Sequence, residues 1–451
     1  MTAAAMGARS AAPATAYPGR TARVVLVVVV LVNVAIVETL FFTGGPAKNS
    51  LIGVAKFFAL HLALIMILQL VLVSRLPWLD RRVGMDRLTS WHRWTGFTLF
   101  WLVILHPTFI LVGYGRLYHL SFFAQFASFA GVLPTLLGMI AAGIISIAVA
   151  LSVRVVRRRL SYETWHAVHF CLYAAVALAL IHQLYEGTTF KANAVTTAYW
   201  WLLWGLAIGA LLVGRVVTPL MLNARHKLRV AAVVPESDTV TSVYVEGRDL
   251  DQLQARPGQF FIWRFLGHNR WWQANPFSLS AAPDGRHLRL TAKAVGTTSA
   301  GLRSLPVGTR VFVEGPYGAF TTMHRSREAT ALIAGGVGIT PVRALLEELS
   351  GPVTLLYRVQ SAPDAVLLQE LQDLARARGA RLHVLTGRTG AGEPPNLPFD
   401  PRNLAGLVPD ITERDVYVCG PPAMTSAVLR SLRALGVPRR QIHAERFALA
   451  G

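Results

Sequence analysis

Cysteine is nearly missing from this chain: there are two in 451 residues, Cys171 inside an apolar run and Cys419 near the C-terminus. Thiols so far apart supply neither a disulfide framework nor the ligand set of an iron–sulfur cluster. A redox metal held by side chains would therefore fall to histidine. Acidic residues are also scarce, 24 against 44 Lys and Arg, giving a net charge of +20. That surplus does not read as a nucleic-acid surface, because the arginines cluster beside apolar helices rather than along an aromatic-studded soluble face. Only 15% of residues are charged and 53% are hydrophobic, with the apolar excess concentrated in the first half. The length leaves room for two or three domains.

Residues 1–20, rich in Ala, Gly, Thr and Pro, read as a loose tail. Six apolar stretches of membrane-spanning length follow, at about 22–42, 51–74, 91–113, 127–151, 164–184 and 197–220. The first is longer than a typical signal-peptide core and no small-residue cleavage site follows it, so it reads as an anchor. Arg75, Arg81, Arg82 and Arg87 follow the second stretch, Arg154, Arg157, Arg158 and Arg159 the fourth, and Arg215, Arg225, Lys227 and Arg229 the sixth. The opposite connections carry only Lys48, Arg116, Glu186 and Lys191. The bias of positive charge predicts a multi-pass protein of the plasma membrane with both termini cytoplasmic.

Ionisable side chains within a bilayer are costly and default to a functional reading. The third stretch holds His92 and His106, 14 residues apart, and the fifth holds His169 and His182, 13 apart. Each spacing is roughly 20 Å of helix rise. Fourteen steps return to within about 40° of the starting direction, so His92 and His106 share a face. Thirteen steps separate His169 and His182 by about 140° on an ideal helix, and periodicity alone does not choose His169 over His166. Neutral imidazoles are good axial ligands for heme iron, and two helices carrying two each can hold two hemes, one above the other. A single intramembrane histidine, by contrast, is more often bonded to a neighbouring helix, which is the expectation for His61. Arg93 reads either as a partner for an inner heme propionate or as an ordinary inside-positive arginine.

From about residue 226 the periodicity becomes two, and six short strands with Gly, Pro and Asp turns predict a small antiparallel barrel. Asn275-Pro276-Phe277-Ser278 offers an aromatic face and a hydroxyl to a flavin ring. Lys293, Gly296, Thr297, Thr298 and Ser299 offer an ammonium, hydroxyls and backbone N–H groups to a diphosphate. From about 329, strands alternate with helices, which predicts a parallel doubly wound sheet. Gly335-Gly336-Val337-Gly338-Ile339-Thr340-Pro341 ends a strand and opens a helix, the setting for a phosphate-cradling turn, although it is neither G-x-G-x-x-G nor a P-loop. Cys419-Gly420-Pro421-Pro422 ends another strand, where ligands of such sheets sit. Arg358 and Arg388, each just after a strand, are the candidates for a 2′-phosphate.

Taken together, these residues resemble the ferric reductase and NADPH oxidase superfamily, over about residues 22–447. The resemblance implies a multi-domain chain: a tail at 1–20, a six-helix transmembrane heme bundle at 21–222, an antiparallel β-barrel FAD domain at 226–322 and a doubly wound α/β NAD(P)-binding domain at 327–451. It implies two b-type hemes, His92 pairing with His169 at the inner and His106 with His182 at the outer, and so prefers His169 to His166. It places Ser278, Cys419, Glu445 and Phe447 at the reacting rings, with the aromatic of Glu445-Arg446-Phe447 covering the flavin. The sequence departs from the pattern in two places. The Arg or His that the family sets in the flavin motif is Asn275 here, and four residues follow Phe447.

A member of this superfamily carries electrons from NADPH or NADH to FAD by hydride, then singly through both hemes to an acceptor outside, oxygen or a ferric chelate. An electron-donating subunit for a partner protein is an alternative. A six-helix channel with a nucleotide-sensing domain is disfavoured, since neither broken helices nor internal repeats are visible and no acidic partner for the intramembrane histidines is evident.

Overall fold

The computed structural model describes residues 18–153, 162–267, 273, 275–390 and 396–446. The arginine cluster at Arg154, Arg157, Arg158 and Arg159, and Phe447, lie outside the described residues. Among the described residues, six helices are long and apolar enough to cross a membrane. They are α1 (Pro18–Thr43), α2 (Ser50–Leu72), α4 (Met85–Tyr118), α6 (Leu133–Ser152), α7 (Tyr162–Glu186) and α8 (Ala194–Leu212). The boundaries differ from expectation where local chemistry intervenes. The third span runs on to residue 118 despite Pro107, and the fourth starts later because α5 (Phe122–Ala130), capped by Ser121, forms a separate helix ahead of it. The connection after α2 is not a loop but holds the short helix α3 (Pro77–Val83), with Pro77 at its first turn. The last span continues through a π-turn at Val213–Val217 into α9 (Thr218–His226).

Helix α2 packs most extensively against α4, and α6 against α7. Each histidine-bearing helix therefore has one neighbour laid along it. Small residues and aromatics fill the bundle core: Ala63, Ala141, Ala175 and Ala207 let backbones approach, and Trp200 and Trp204 fill what remains.

Six strands follow: β1 (Arg229–Pro235), β2 (Val240–Glu246), β3 (Phe260–Phe265), β4 (Asn275–Ser278), β5 (His287–Lys293) and β6 (Val311–Tyr317). They are antiparallel, as expected, and lie in two three-stranded sheets, β1-β2-β5 and β4-β3-β6. Isolated bridges join the two sheets on both sides, Arg229–Arg310 between β1 and the residue ahead of β6, and Leu279–Leu290 between the residue after β4 and β5. A single core fills the space between them, with Phe261, Trp263, Leu279, Leu288 and Leu290 essentially inaccessible to solvent. The short helix α10 (Thr297–Gly301) follows β5.

The C-terminal unit is the parallel sheet expected, with strands β7 (Thr330–Gly335), β8 (Val353–Arg358), β9 (Arg381–Leu385), β10 (Asp415–Gly420) and β11 (Ile442–Arg446) in the order β11-β10-β7-β8-β9. Helices α11 (Ile339–Glu348), α12 (Leu368–Arg378), α13 (Pro401–Leu407) and α14 (Pro422–Ala434) connect them. From β7 the chain winds first toward β9 and then returns to β10 on the other side. The switch point therefore falls between β7 and β10, where open α/β sheets bind ligands.

Candidate functional site

In the bundle, the rings of His92 on α4 and His169 on α7 lie with their planes at 74° and their centres 6.1 Å apart. An imidazole nitrogen sits about 2 Å from a first-row metal and its ring centre about 1 Å further, so two axial rings on one iron have centres roughly 6 Å apart. The observed gap fits a shared iron between them. His169 Nδ1 is buried without a hydrogen-bond partner among the described residues. His166 is exposed and stands beside Trp165 and Phe170.

At the far end of the same helices, the Nδ1 atoms of His106 and His182 each lie 3.0 Å from a backbone carbonyl, of Ala55 on α2 and Pro134 on α6 respectively. A ring that donates Nδ1–H to a carbonyl presents the lone pair of Nε2, the arrangement that orients imidazole toward a metal. One residue here gave no signal in the sequence. A Cβ on Gly138 would stand 2.7 Å from Cγ of His182, so only glycine leaves α6 open to that ring. No cluster of three or more His, Cys, Asp or Glu that could hold a metal ion occurs among the described residues. The donor set therefore fits a metal that brings its own equatorial ligands, as heme iron does.

The expectation that intramembrane histidines lack acidic partners is overturned by one pair. His61 Nε2 lies 3.2 Å from Oε1 of Glu38 on α1, and its Nδ1 lies 2.9 Å from the carbonyl of Phe57. Glu38 sits near the C-terminal end of a mostly apolar helix, and sequence alone did not join it to a residue 23 positions away. His61 does make the helix–helix contact expected of it.

The bundle grips the first strand domain through α3, α9 and the residues around them. Arg75 Nη1 bonds Oε2 of Glu314 at 2.7 Å, and Arg264 Nη1 holds the other carboxylate oxygen at 2.5 Å. Burial alone would raise the Glu314 pKa, but the two guanidinium charges outweigh it and hold the group below the ordinary carboxylate range. Asp80 accepts from the Gly318 N–H at 2.7 Å, and Asn223 both donates to Val313 O and accepts from Val313 N–H, completing the edge of β6. These anchors bracket Gly315-Pro316-Tyr317-Gly318. Burial pushes the Tyr317 hydroxyl up to about 12, keeping it protonated. A second network, of Arg289, Arg343, Glu370 and the Ser280 carbonyl, joins the strand domain to α11 and α12.

Ser278 ends β4 with its Oγ buried and without a hydrogen-bond partner among the described residues. A buried hydroxyl left unsatisfied is uncommon and marks a place where another group belongs, which fits a flavin ring against this strand. Asn275 donates to the carbonyls of Gln273 and Trp263, Pro276 is exposed and Phe277 half-buried. Lys293 is exposed, free to meet a phosphate. Ser299 is not available for one: its Oγ accepts from the N–H groups of Val295 and Gly296 and donates to Gly296 O, which caps α10. For Thr297 and Thr298 the structure describes the backbone only.

At the switch point the glycine turn and the end of β10 meet. A Cβ on Gly338 would fall 2.4 Å from Cys419 O, and one on Gly335 2.4 Å from Met424 Sδ. Gly336 differs: its φ is +52° and its missing Cβ faces open space, the room a phosphate requires. Thr340 is buried and its hydroxyl donates to Val337 O, tightening the turn ahead of Pro341. Cys419 is buried, Gly420 lies behind it and Pro421 is exposed. Burial, with the Glu445 carboxylate next to it in the β10–β11 register, pushes the Cys419 thiol up and keeps it neutral. Arg358 is committed elsewhere than expected. Its guanidinium donates to the carbonyls of Leu385, Thr386 and Gly387 and to Thr389, pinning the loop that carries Arg388. Arg388 itself is exposed.

Fold and site together describe a bundle of membrane-spanning length joined to a ferredoxin reductase-like module. Residues 57–180 match the family described as ferric reductase like transmembrane component, and residues 332–430 match the oxidoreductase NAD-binding domain. The two in this order match the architecture of the ferric reductase and NADPH oxidase superfamily.

Among similar curated proteins, a flavohemoprotein of Vibrio cholerae is 34% identical over 38% of this chain and 45% of its own length. The ferredoxin–NAD(+) reductase component of the Xanthobacter autotrophicus alkene monooxygenase system is 32% identical over 42% of this chain and 61% of its own. The ferredoxin reductase component of a Mycobacterium tuberculosis 3-ketosteroid-9-alpha-monooxygenase is 31% identical over 49% and 65%. The chain thus spans about half to two thirds of the length of these relatives. The solved FAD/NAD-binding domain of a Vibrio cholerae nitric oxide dioxygenase is 30% identical over 49% of this chain and 99% of that chain, with a TM-score of 0.39.

Proposed function

We propose that this chain passes electrons from NAD(P)H on the reductase side of a membrane, through FAD and two b-type hemes, to an acceptor on the opposite side. The observation that carries the reading is the 6.1 Å gap between the His92 and His169 rings, which would let both imidazoles hold one iron. When bound, flavin takes an electron pair as hydride and gives electrons up singly, and each heme iron relays one.

The chain's own residues do the holding. His92 with His169, and His106 with His182, hold the two irons, the second pair kept in register by Ala55 O and Pro134 O. Ser278 receives the flavin ring edge, and Asn275, Pro276 and Phe277 form the strand beneath it, with Lys293 reaching toward the diphosphate. The open side of Gly336 receives the nicotinamide nucleotide diphosphate, with Gly335, Gly338, Thr340 and Pro341 shaping that turn. Cys419, Gly420 and Pro421 wall the nicotinamide, with a neutral thiol that suits packing rather than nucleophilic attack. Glu445 and Phe447 close the flavin side, and Arg388 is the residue left to read a 2′-phosphate.

The domain limits that go with this reading are 21–222 for the heme bundle, 226–322 for FAD and 327–451 for the nucleotide. Both termini then lie in the cytoplasm and the acceptor, oxygen or a ferric chelate, meets the outer heme. The test is NAD(P)H oxidation under oxygen, and under nitrogen with ferric citrate, for the wild type and for His106→Leu. His106→Leu should keep a flavin reducible by NAD(P)H yet lose acceptor reduction. Unchanged acceptor reduction would sink the two-heme wire.

A further inference from the structure

A cavity of about 550 Å³ lies where the bundle, the β3–β6 sheet and the edge strand β11 meet. Its membrane-side wall carries Arg23 of α1, Arg82 of α3 and Arg87 at the start of α4. Its reductase-side wall carries Arg433 of α14 and Arg439 and Arg440, just ahead of β11. Against these six guanidinium groups the lining holds one carboxylate, Glu445, and two histidines, His324 and His443, the second already bonded to Asp415. The side chains of Arg82, Arg87, Arg433, Arg439 and Arg440 have no hydrogen bond or ion pair among the described residues. Burial and the neighbouring positive charge push the His324 imidazole below its ordinary value, so it titrates away from the proton that the arginines already oppose.

Like charges gathered around one concave space repel, and the arrangement is favourable only with an anion between them. Guanidinium groups match phosphate oxygens in geometry as well as charge. The cavity is separate from the nucleotide turn and from the flavin-side hydroxyls: neither Gly335–Pro341, Lys293, Ser278 nor Ser299 lines it, and Glu445 alone is shared. Its position names the source of the phosphate. The first and third spans begin at Thr21 and Arg87, so Arg23 and Arg87 stand at the level where lipid headgroups lie, and basic residues there attract anionic lipid.

We infer that this cavity binds the phosphate headgroup of an anionic phospholipid, which neutralises the facing arginines and ties the reductase module to the bundle. The inference does not depend on what the acceptor is or on how many hemes are bound. The test uses the full chain, with its cofactors, in nanodiscs of phosphatidylcholine alone or mixed with phosphatidylglycerol. Retained lipid is counted by native mass spectrometry, and thermal unfolding is followed in parallel.

The wild type should retain phosphatidylglycerol in preference to phosphatidylcholine and unfold at higher temperature with it. Each basic residue at an anionic surface contributes about fivefold in affinity, so Arg82→Gln/Arg439→Gln/Arg440→Gln should retain it roughly a hundredfold more weakly. The corresponding triple Lys variant should keep most of the preference. If the triple Gln variant fails to fold, Arg440→Gln alone should show the fivefold loss. Equal retention by the wild type and either Gln variant overturns the inference. So does a full thermal shift from inorganic phosphate in phosphatidylcholine discs with nothing added by phosphatidylglycerol, which would make the ligand a soluble anion.

Discussion

Gly138→Ala puts one methyl group where the structure has room for none. The new Cβ would stand 2.7 Å from Cγ, 2.8 Å from Nδ1 and 3.0 Å from Cδ2 of His182. Carbon atoms rest at about 3.5–4.0 Å, so the ring or the helix must give way by about 1 Å. The same ring is tethered to Pro134 O at 3.0 Å, one turn earlier on the same helix, and a retreat of that size takes this bond beyond about 3.2 Å, the usual limit. Overpacking of this kind costs about 1–3 kcal/mol. Disturbing the partner that orients a metal-bound histidine typically lowers metal affinity by about 10–100-fold.

Gly138→Ala should therefore purify with the inner heme retained and the outer heme depleted. The readouts are heme per FAD by pyridine hemochromogen and the reduced-minus-oxidised spectrum. Gly143→Ala, on the same helix, is the control, because its Cβ meets nothing within 4 Å, and exchanging a helical glycine for alanine is worth up to about 1 kcal/mol of helix stability. Wild-type heme content and an unchanged outer-heme spectrum in Gly138→Ala would refute the assignment of His182 as a ligand held by α6.

Arg75→Ala removes the link between the bundle and Glu314, and should leave flavin reduction by NAD(P)H intact while slowing heme reduction by about 10–100-fold, the cost of an offset near 1 Å; stopped-flow spectra separate the two phases. Glu314 has a lowered folded pKa, so its contribution to docking is fully present above the unfolded value near 4.3 and is lost as pH falls through the lower folded value. The coupling should thus survive at pH 6 and fail only in strong acid, and a loss of coupling between pH 6 and 8 would contradict it. Gly336→Val sets a β-branched residue at φ +52° and fills the open side of the turn. It should raise KM for the nucleotide at least tenfold with heme content unaltered, and a wild-type KM would remove that turn from the cofactor site. Ser278→Ala should keep most FAD but slow its reduction by NAD(P)H about tenfold or more, as expected for loss of a positioned hydrogen bond to a reacting group; unchanged single-turnover rates would disprove that contact.

Six spans, the positive bias of one end and the helix-to-strand change near residue 226 could be read from the sequence because each rests on local composition or period. The four histidines were visible for the same reason: charge in an apolar run stands out wherever the run ends up. What could not be read is which groups lie opposite each other. The His169 ring lies 6.1 Å from that of His92 while His166 is exposed, a difference that helix phase left open and the placement of the two helices in the bundle makes. The His61–Glu38 pair joins residues whose separation in sequence carries no period, and it removed the assumption that these histidines stand apart from acids. Arg358 and Ser299 looked like phosphate ligands by position, but backbone carbonyls and N–H groups claimed both, since a buried donor or acceptor must be satisfied by whatever is nearest. The antiparallel strands were correctly periodic, yet period fixes which face is buried and not which strands pair; here two three-stranded sheets close over one core. Gly138 gives nothing away in the chain, because the need for a missing methyl exists only once His182 lies against α6. The sequence by itself thus determined the elements and the chemistry they carry. The tertiary structure decided the pairings, through contacts between segments that local physics cannot foresee.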